Sequence, residues 1–194
     1  MRFDFFALLS RMKYVTRWGL MRSTVREDIA QHSYDVAVLA HALALIHNRL
    51  YGGQIDAQRC AAMALYHDCS EILTGDLPTP VKYCNQRIVS AYKQVEEGAN
   101  RQLLSMLPPA LQLDYEPFFL PREEDALLWK LVKAADKLSA HIKCLEETRM
   151  SNPEFAQALT STRHLLEELS LPEVDYFMSH FLESYGLSLD ELRT

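Results

Sequence analysis

Apolar residues recur along this chain at helical spacing almost from end to end, and no stretch alternates convincingly in the manner of a strand. From Glu123 to Met150 the residues Leu127, Leu128, Leu131, Val132, Ala135 and Leu138 fall on one face, the spacing of a core-facing helix. Asp28 to Arg49 reads as a second long helix. It is mostly apolar from Val36 to Ile46 and is therefore expected at the centre. With 194 residues, nearly half of them apolar, and few glycines, the chain is expected to fold as one all-α domain over residues 1–194.

The remaining elements follow from breakers and caps. Phe3 to Lys13 reads as a short amphipathic helix, and Tyr14 to Arg26 as a less regular segment. Tyr51-Gly52-Gly53 stops the long helix, and Asp56 can cap the next one, which runs to about His67. Gly75 to Pro80 is a loop, because its two prolines do not fit a regular helix. Pro80 then opens a helix to about Met106, which Pro108-Pro109 interrupts. Asn152-Pro153 starts a helix to about Leu169, Pro172 one to about Tyr185, and the tail from Ser188 is polar.

Composition excludes several classes. A net charge of −6 argues against a polymer of nucleic acid as partner, since phosphate backbones select basic surfaces. A small phosphate ligand needs only one or two local cations. The cysteines Cys60, Cys69, Cys84 and Cys144 form no CxxC pair, so buried free thiols in a reducing cytoplasm are expected. The N-terminus carries Asp4 within its apolar stretch and is no signal peptide. The run Val36 to Ile46 is interrupted by His41 and falls short of a membrane span.

Against this background one stretch is anomalous. The apolar run Cys60 to Leu65 ends in His67, Asp68 and Glu71, and a loop with Asp76 follows. Imidazoles and carboxylates at the end of a core helix cost free energy unless paired or metal-bound. At helical spacing Glu71 shares a face with His67 and Asp68. His32, just before the apolar stretch of its helix, and Asp136, on the core-facing stripe of another, are candidates to join them. Two imidazoles and two carboxylates suit manganese, cobalt, iron or zinc. Spacing alone leaves bland readings open: a surface His67–Glu71 pair, Asp136 paired with Lys133 or Lys137, and a solvent-facing or capping His32.

The longer pattern is familiar. His32, then His67-Asp68, then Asp136 resembles the H…HD…D signature of the HD-domain superfamily of helical metal-dependent phosphohydrolases. Arg17-Trp18, Glu27 to Ser33, Tyr66 to Glu71, Thr74 to Tyr83 and Lys133 to Asp136 together resemble the bacterial 5′-deoxynucleotidases of the YfbR type. That resemblance implies a divalent metal on His32, His67, Asp68 and Asp136. Cobalt or manganese leads, with zinc, iron and copper as alternatives. It implies hydrolysis of deoxyribonucleoside 5′-monophosphates by a homodimer. Substrate contacts map onto Arg17, Trp18, Asp68, Asp76, Leu77, Pro78, Thr79 and Asp136. Cys69 departs from the small residue, often alanine, expected after His-Asp, which makes the site oxidation-sensitive without disturbing the metal.

Roles follow from the chemistry of these residues. Arg17 offers a guanidinium fork for phosphate, and Trp18 a wall against a 2′-hydroxyl; a surface arginine and a core anchor are the plain alternatives. Glu71 is placed to orient or deprotonate the attacking water, or else to hydrogen-bond a metal ligand. Asp76 can bind the sugar, protonate the departing oxygen, or simply cap its turn. Lys82 and Lys137 read as solvated or structural. Other HD-type enzymes, namely a triphosphohydrolase, a cyclic-nucleotide phosphodiesterase or a di-iron oxygenase, are rivals, as is a non-catalytic nucleotide-binding helical module.

Overall fold

Asp28 starts the central helix. Its carboxylate accepts from the backbone N–H groups of Ala30 and Gln31, while Gln31 reaches back to the Asp28 N–H, closing a capping box. In the computed structural model, which describes residues 2–193, the order is α1 (Phe5–Leu9), α2 (Ile29–Leu50), α3 (Ala57–Tyr66), α4 (Glu71–Thr74), α5 (Thr79–Lys82), α6 (Gln86–Ser105), α7 (Pro109–Phe119), α8 (Ala126–Arg149), α9 (Ala156–Glu168) and α10 (Pro172–His180). Short 3-10 turns join several of them. Among the described residues there is no strand, only one isolated antiparallel bridge between Thr16 and Asp28.

Helices α2, α3 and α8 form the core. Val36, Leu39, Ala40 and Leu43 of α2 pack with Cys60, Met63 and Ala64 of α3 and with Leu131, Ala135 and Leu138 of α8. Fully buried leucines such as Leu43, Leu131 and Leu138 each stabilise the fold by ~1.5–3 kcal/mol. By length and mean hydropathy, 22 residues and 1.2, α2 could cross a membrane, but half of that window is buried inside the protein. A second cluster gathers Phe5, Met12, Ile29, Cys69, Leu103, Leu107 and Phe119 beneath α6 and α7.

Several boundaries differ from the sequence reading. The first helix is shorter and passes into a 3-10 helix at Ser10–Tyr14. Pro80 does not open one helix to Met106. The chain makes the single turn α5, breaks at Tyr83 to Asn85, and restarts with the Asn85 side chain accepting from the Ile88 N–H. Pro108-Pro109 starts a helix rather than only interrupting one, and Pro117 is tolerated inside it. Leu127 lies on the exposed side of α8. Cys60, Cys69 and Cys144 are buried free thiols, but Cys84 is exposed in the break after α5. At the end of α2, a Cβ on Gly53 would sit 2.1 Å from the His47 ring, so that turn requires glycine.

A buried acid secures the irregular segment before α2. Glu147 of α8 is fully buried and accepts from the backbone N–H groups of Thr24 and Val25 at 2.8 and 3.1 Å. Lys143 Nζ, 2.6 Å away, and the Asn152 side chain, 2.8 Å away, complete its shell. Arg17 and Trp18 lie on the segment that these bonds tether.

Candidate metal and phosphate site

Helix α3 ends at Tyr66, so His67 and Asp68 stand on the turn that links α3 to α4 rather than on a helical face. Glu71 opens α4. The expected i, i+4 spacing on one helix is therefore corrected: the turn, not helical periodicity, brings these groups together. His67 Nδ1 lies 2.7 Å from the Ala64 carbonyl oxygen. A carbonyl only accepts, so Nδ1 carries a proton, and it is Nε2 that holds the lone pair in the neutral, ligating form of the ring. That Nε2 is buried and has no hydrogen-bond partner.

His32 is fully buried on α2, and Asp136 reaches the same point from α8. His32 Nε2 lies 3.1 Å from Asp136 Oδ1 and 3.5 Å from Asp68 Oδ2. His67 Nε2 lies 3.2 Å from Asp68 Oδ2 and 4.0 Å from Asp136 Oδ1. Ligand atoms of His32, His67 and Asp68 all fall within 4.8 Å of one another. Donors bound to one ion at about 2.1 Å stand about 3–4 Å apart, so these residues fit a first-row divalent cation. The orphaned Nε2 of His67 is the direct mark of that fit. Asp136 keeps 38% of its side chain exposed and forms the open edge of the cluster.

The electrostatics of the cluster favour positive charge. Burial opposes ionisation of the Asp68 carboxyl, but His67, His32 and Arg17 outweigh it and hold its pKa far below the usual range. Burial likewise opposes ionisation of Asp136, and the His32 contact overcomes it. Burial would lower the pKa of His67, yet Asp68 and Asp136 raise it to about 9. Glu71 is buried and its Oε2 has no partner. Burial, then the charges of Asp68 and Asp76, push its pKa up to about 9.

Arg17 Nη1 lies 3.4 Å from Asp68 Oδ2, with its side chain 13% exposed, so it is not a surface arginine. Trp18 sits in the left-handed region, φ 58°, a costly conformation for a residue of this size. Its indole N–H donates to Glu27 Oε2 at 2.8 Å, and its ring packs against Phe155 with centroids 5.4 Å apart. Asp76 follows α4. Burial raises its pKa, while Arg17, the Trp18 backbone amide and Lys82 act against that rise. Leu77 and Pro78 are half-buried in the same loop, and Thr79 is the exposed first residue of α5. Lys82 pairs with Glu96 at 2.8 Å. The loop before it is also held from α6, where the Tyr92 hydroxyl donates to the Gly75 carbonyl at 3.3 Å.

Two contributors carried no sequence assignment. Glu27 contacts Arg17, Trp18 and His32, and Ser139 Oγ lies 3.3 Å from His32 Nδ1. Glu27 precedes the cap Asp28 and looks like an ordinary acid at a helix start. Only the bridge between Thr16 and Asp28, with Arg17 N–H donating to the Glu27 carbonyl at 3.0 Å, turns it inward.

Comparison with known proteins agrees with this geometry. Residues 4–185 match the family model described as 5′-deoxynucleotidase YfbR-like. A 5′-deoxynucleotidase of Vibrio vulnificus is 50% identical over 188 residues, covering 97% of each chain. One from Yersinia pseudotuberculosis is 47% identical over 192 residues, covering 97% of this chain and 95% of its own. Among solved structures, an HD-domain phosphohydrolase from Listeria innocua aligns with a TM-score of 0.81 at 22% identity, covering 98% of this chain and 92% of its own. The cyanophage S-2L HD phosphohydrolase, bound to dA and one catalytic Zn2+ ion, aligns with a TM-score of 0.66 at 17% identity, covering 92% and 96%.

Proposed function

The chain belongs to the YfbR-like 5′-deoxynucleotidase family, and from that premise we propose how its residues hydrolyse deoxyribonucleoside 5′-monophosphates to deoxynucleoside and phosphate. It is a phosphoric monoester hydrolase. The observation that carries the site assignment is the convergence of His32, His67, Asp68 and Asp136 around the orphaned Nε2 of His67. These four residues hold one divalent ion. When bound, the ion supplies Lewis acidity toward a phosphate oxygen and toward water.

The chain's own groups do the rest. Arg17 binds the phosphate by its guanidinium fork. The attacking water adds its oxygen to phosphorus and gives a proton to the buried Glu71 carboxylate, which the positive charge of an ion held beside Asp68 would keep ionised. The P–O5′ bond breaks, and Asp76, its own pKa raised, gives the departing 5′ oxygen a proton. Trp18 walls the 2′ face of the sugar, and the loop Leu77-Pro78-Thr79 closes over the nucleotide.

Cobalt or manganese is the working ion in this reading, on the strength of the nitrogen and oxygen donor set; zinc, iron and copper accept the same donors. The protein acts as a single HD domain over residues 1–194, in the cytoplasm, as a homodimer. Free buried thiols support the compartment. The exposed apolar side chains Tyr34, Val38 and Leu45 on the outer side of α2 support the dimer. The deciding experiment is a phosphate-release screen of metal-stripped protein, with added divalent ions, against 5′- and 3′-nucleotides of both sugars. Phosphate released from deoxyribonucleoside 5′-monophosphates in clear preference to ribonucleotides and 3′-nucleotides is the expected result. Inorganic triphosphate released from deoxynucleoside triphosphates, or no release with any ion, would overturn the reading.

A further inference from the structure

Glu27 touches both halves of the site described above: His32 of the metal cluster, and Arg17 and Trp18 of the substrate side. Its carboxylate is 12% exposed. Oε2 accepts from the Trp18 indole N–H at 2.8 Å. Oε1 lies 3.2 Å from Arg17 Nε and 3.3 Å from His32 Nδ1. The Arg17 N–H is not aimed along that line, so this contact is an ion pair rather than a hydrogen bond.

We propose that Glu27 is a positioning residue that couples the metal cluster to sugar selection: through His32 it strengthens divalent-ion binding, and through Trp18 and Arg17 it sets the preference for deoxyribose over ribose. The second half rests on the nucleotidase reading; the first does not.

The argument for His32 is one of tautomer and aim. Its Nδ1 faces an acceptor-only carboxylate and the Ser139 hydroxyl, each 3.3 Å away. An ion held between Nε2, Asp68 and Asp136 would take the Nε2 lone pair, and the ring proton would then sit on Nδ1, facing Glu27 and Ser139. A carboxylate behind a ligating imidazole fixes the ring and raises its basicity, and its loss typically weakens metal binding 10–100-fold. The argument for Trp18 is one of strain. A tryptophan at φ 58° persists only where its surroundings over-determine it. Here the Met21 N–H and Asp76 hold the Trp18 backbone, while the Phe155 ring and Glu27 hold the indole. Without Glu27 the indole keeps only an apolar neighbour and is free to leave the sugar face. The ion pair with Glu27 Oε1 likewise holds Arg17 Nε, while Nη1 faces Asp68.

Glu27→Gln tests both halves. A neutral amide has one acceptor oxygen, which cannot serve Trp18 and His32 together. Zn2+ titration calorimetry of the metal-free protein is expected to show affinity lower by about 10–100-fold. The ratio of kcat/KM for dAMP over AMP is expected to fall by about fivefold or more, since an apolar wall alone discriminates a hydroxyl only modestly. Ser139→Ala separates the two routes: it loosens His32 alone, so it weakens Zn2+ binding and leaves the dAMP:AMP ratio intact. A ratio that falls equally in Ser139→Ala overturns the coupling through Trp18. A folded Glu27→Gln protein with unchanged Zn2+ affinity and unchanged ratio overturns the whole proposal. If circular dichroism shows that Glu27→Gln does not fold, Glu27→Asp, which keeps the charge but withdraws it by one methylene, is held to the same two outcomes. If the wild-type protein releases phosphate from neither nucleotide, the nucleotidase reading fails and the Zn2+ affinity alone decides, an unchanged value refuting the role of Glu27.

Discussion

The imidazole of His67 is locked by the backbone carbonyl of Ala64, 2.7 Å from Nδ1, so that its other nitrogen faces Asp68 with no hydrogen-bond partner. Ala64 belongs to the last turn of α3, and His67 follows directly on that helix. The end of a core helix thus fixes the orientation of this imidazole.

Removing a ligand from the open edge of the cluster tests the metal site. Asp136→Ala deletes the carboxylate 3.1 Å from His32 Nε2. Zn2+ or Mn2+ binding, followed by titration calorimetry, is expected to be lost or weakened by more than about 100-fold, because a bound cation loses one of its two charged donors. The variant should also lose the rise in melting temperature that saturating metal gives the wild type. Wild-type affinity in Asp136→Ala removes this residue from the ligand set.

Glu71 is expected to separate binding from turnover. Glu71→Gln is nearly isosteric and leaves the four donors in place. Metal affinity should stay within about threefold of wild type, while kcat for dAMP falls by about 100-fold or more, the usual range for a lost proton acceptor. Full activity in this variant would refute the role.

Sugar discrimination is expected to depend on Trp18. Wild-type kcat/KM for dAMP should exceed that for AMP by at least about tenfold, and Trp18→Ala should narrow that gap. Equal wild-type rates on the two nucleotides sink the claim. The indole also packs on Phe155, so a modest loss of thermal stability accompanies the change.

Glu147 predicts an acid-sensitive fold. Burial opposes its ionisation, but Lys143, the Thr24 and Val25 amides and Asn152 outweigh burial and hold its pKa well below the usual range. A depressed folded-state pKa stabilises the protein above the unfolded value of about 4.3, and that contribution fades as pH falls below it toward the folded value. Chemical denaturation between pH 7 and pH 3 should show this loss. Glu147→Ala should cost ~3–5 kcal/mol at pH 7, because it leaves Lys143 buried without its partner. A flat stability profile for the wild type across that range contradicts the assignment.

Much of this was readable from residue order. The long helices around Val36 to Ile46 and Leu128 to Leu138 follow from apolar periodicity, because a helix presents the same face every three or four residues. The metal-seeking residues stood out because His32, His67, Asp68 and Asp136 interrupt apolar surroundings, where isolated charge is costly. Breaks were less legible. Pro80 suits the first turn of a helix, and nothing in its neighbours announces that α5 stops at Lys82 before Asn85 caps α6. Cys84 became exposed because of that break.

Sequence by itself determined that the protein is helical, which helices are central, and which donors are available to bind a metal. These are local properties, set by side-chain spacing, caps and the solvation cost of each residue type. Only the tertiary structure decided that His67 and Asp68 meet on a turn rather than a helix face, that Ala64 chooses the His67 tautomer, and that Glu27 joins His32 to Trp18 and Arg17. Those relationships depend on where a carbonyl, a bridge between Thr16 and Asp28, and a ring from Phe155 come to rest. No single stretch of chain encodes them, because each is settled by packing between segments far apart in the sequence.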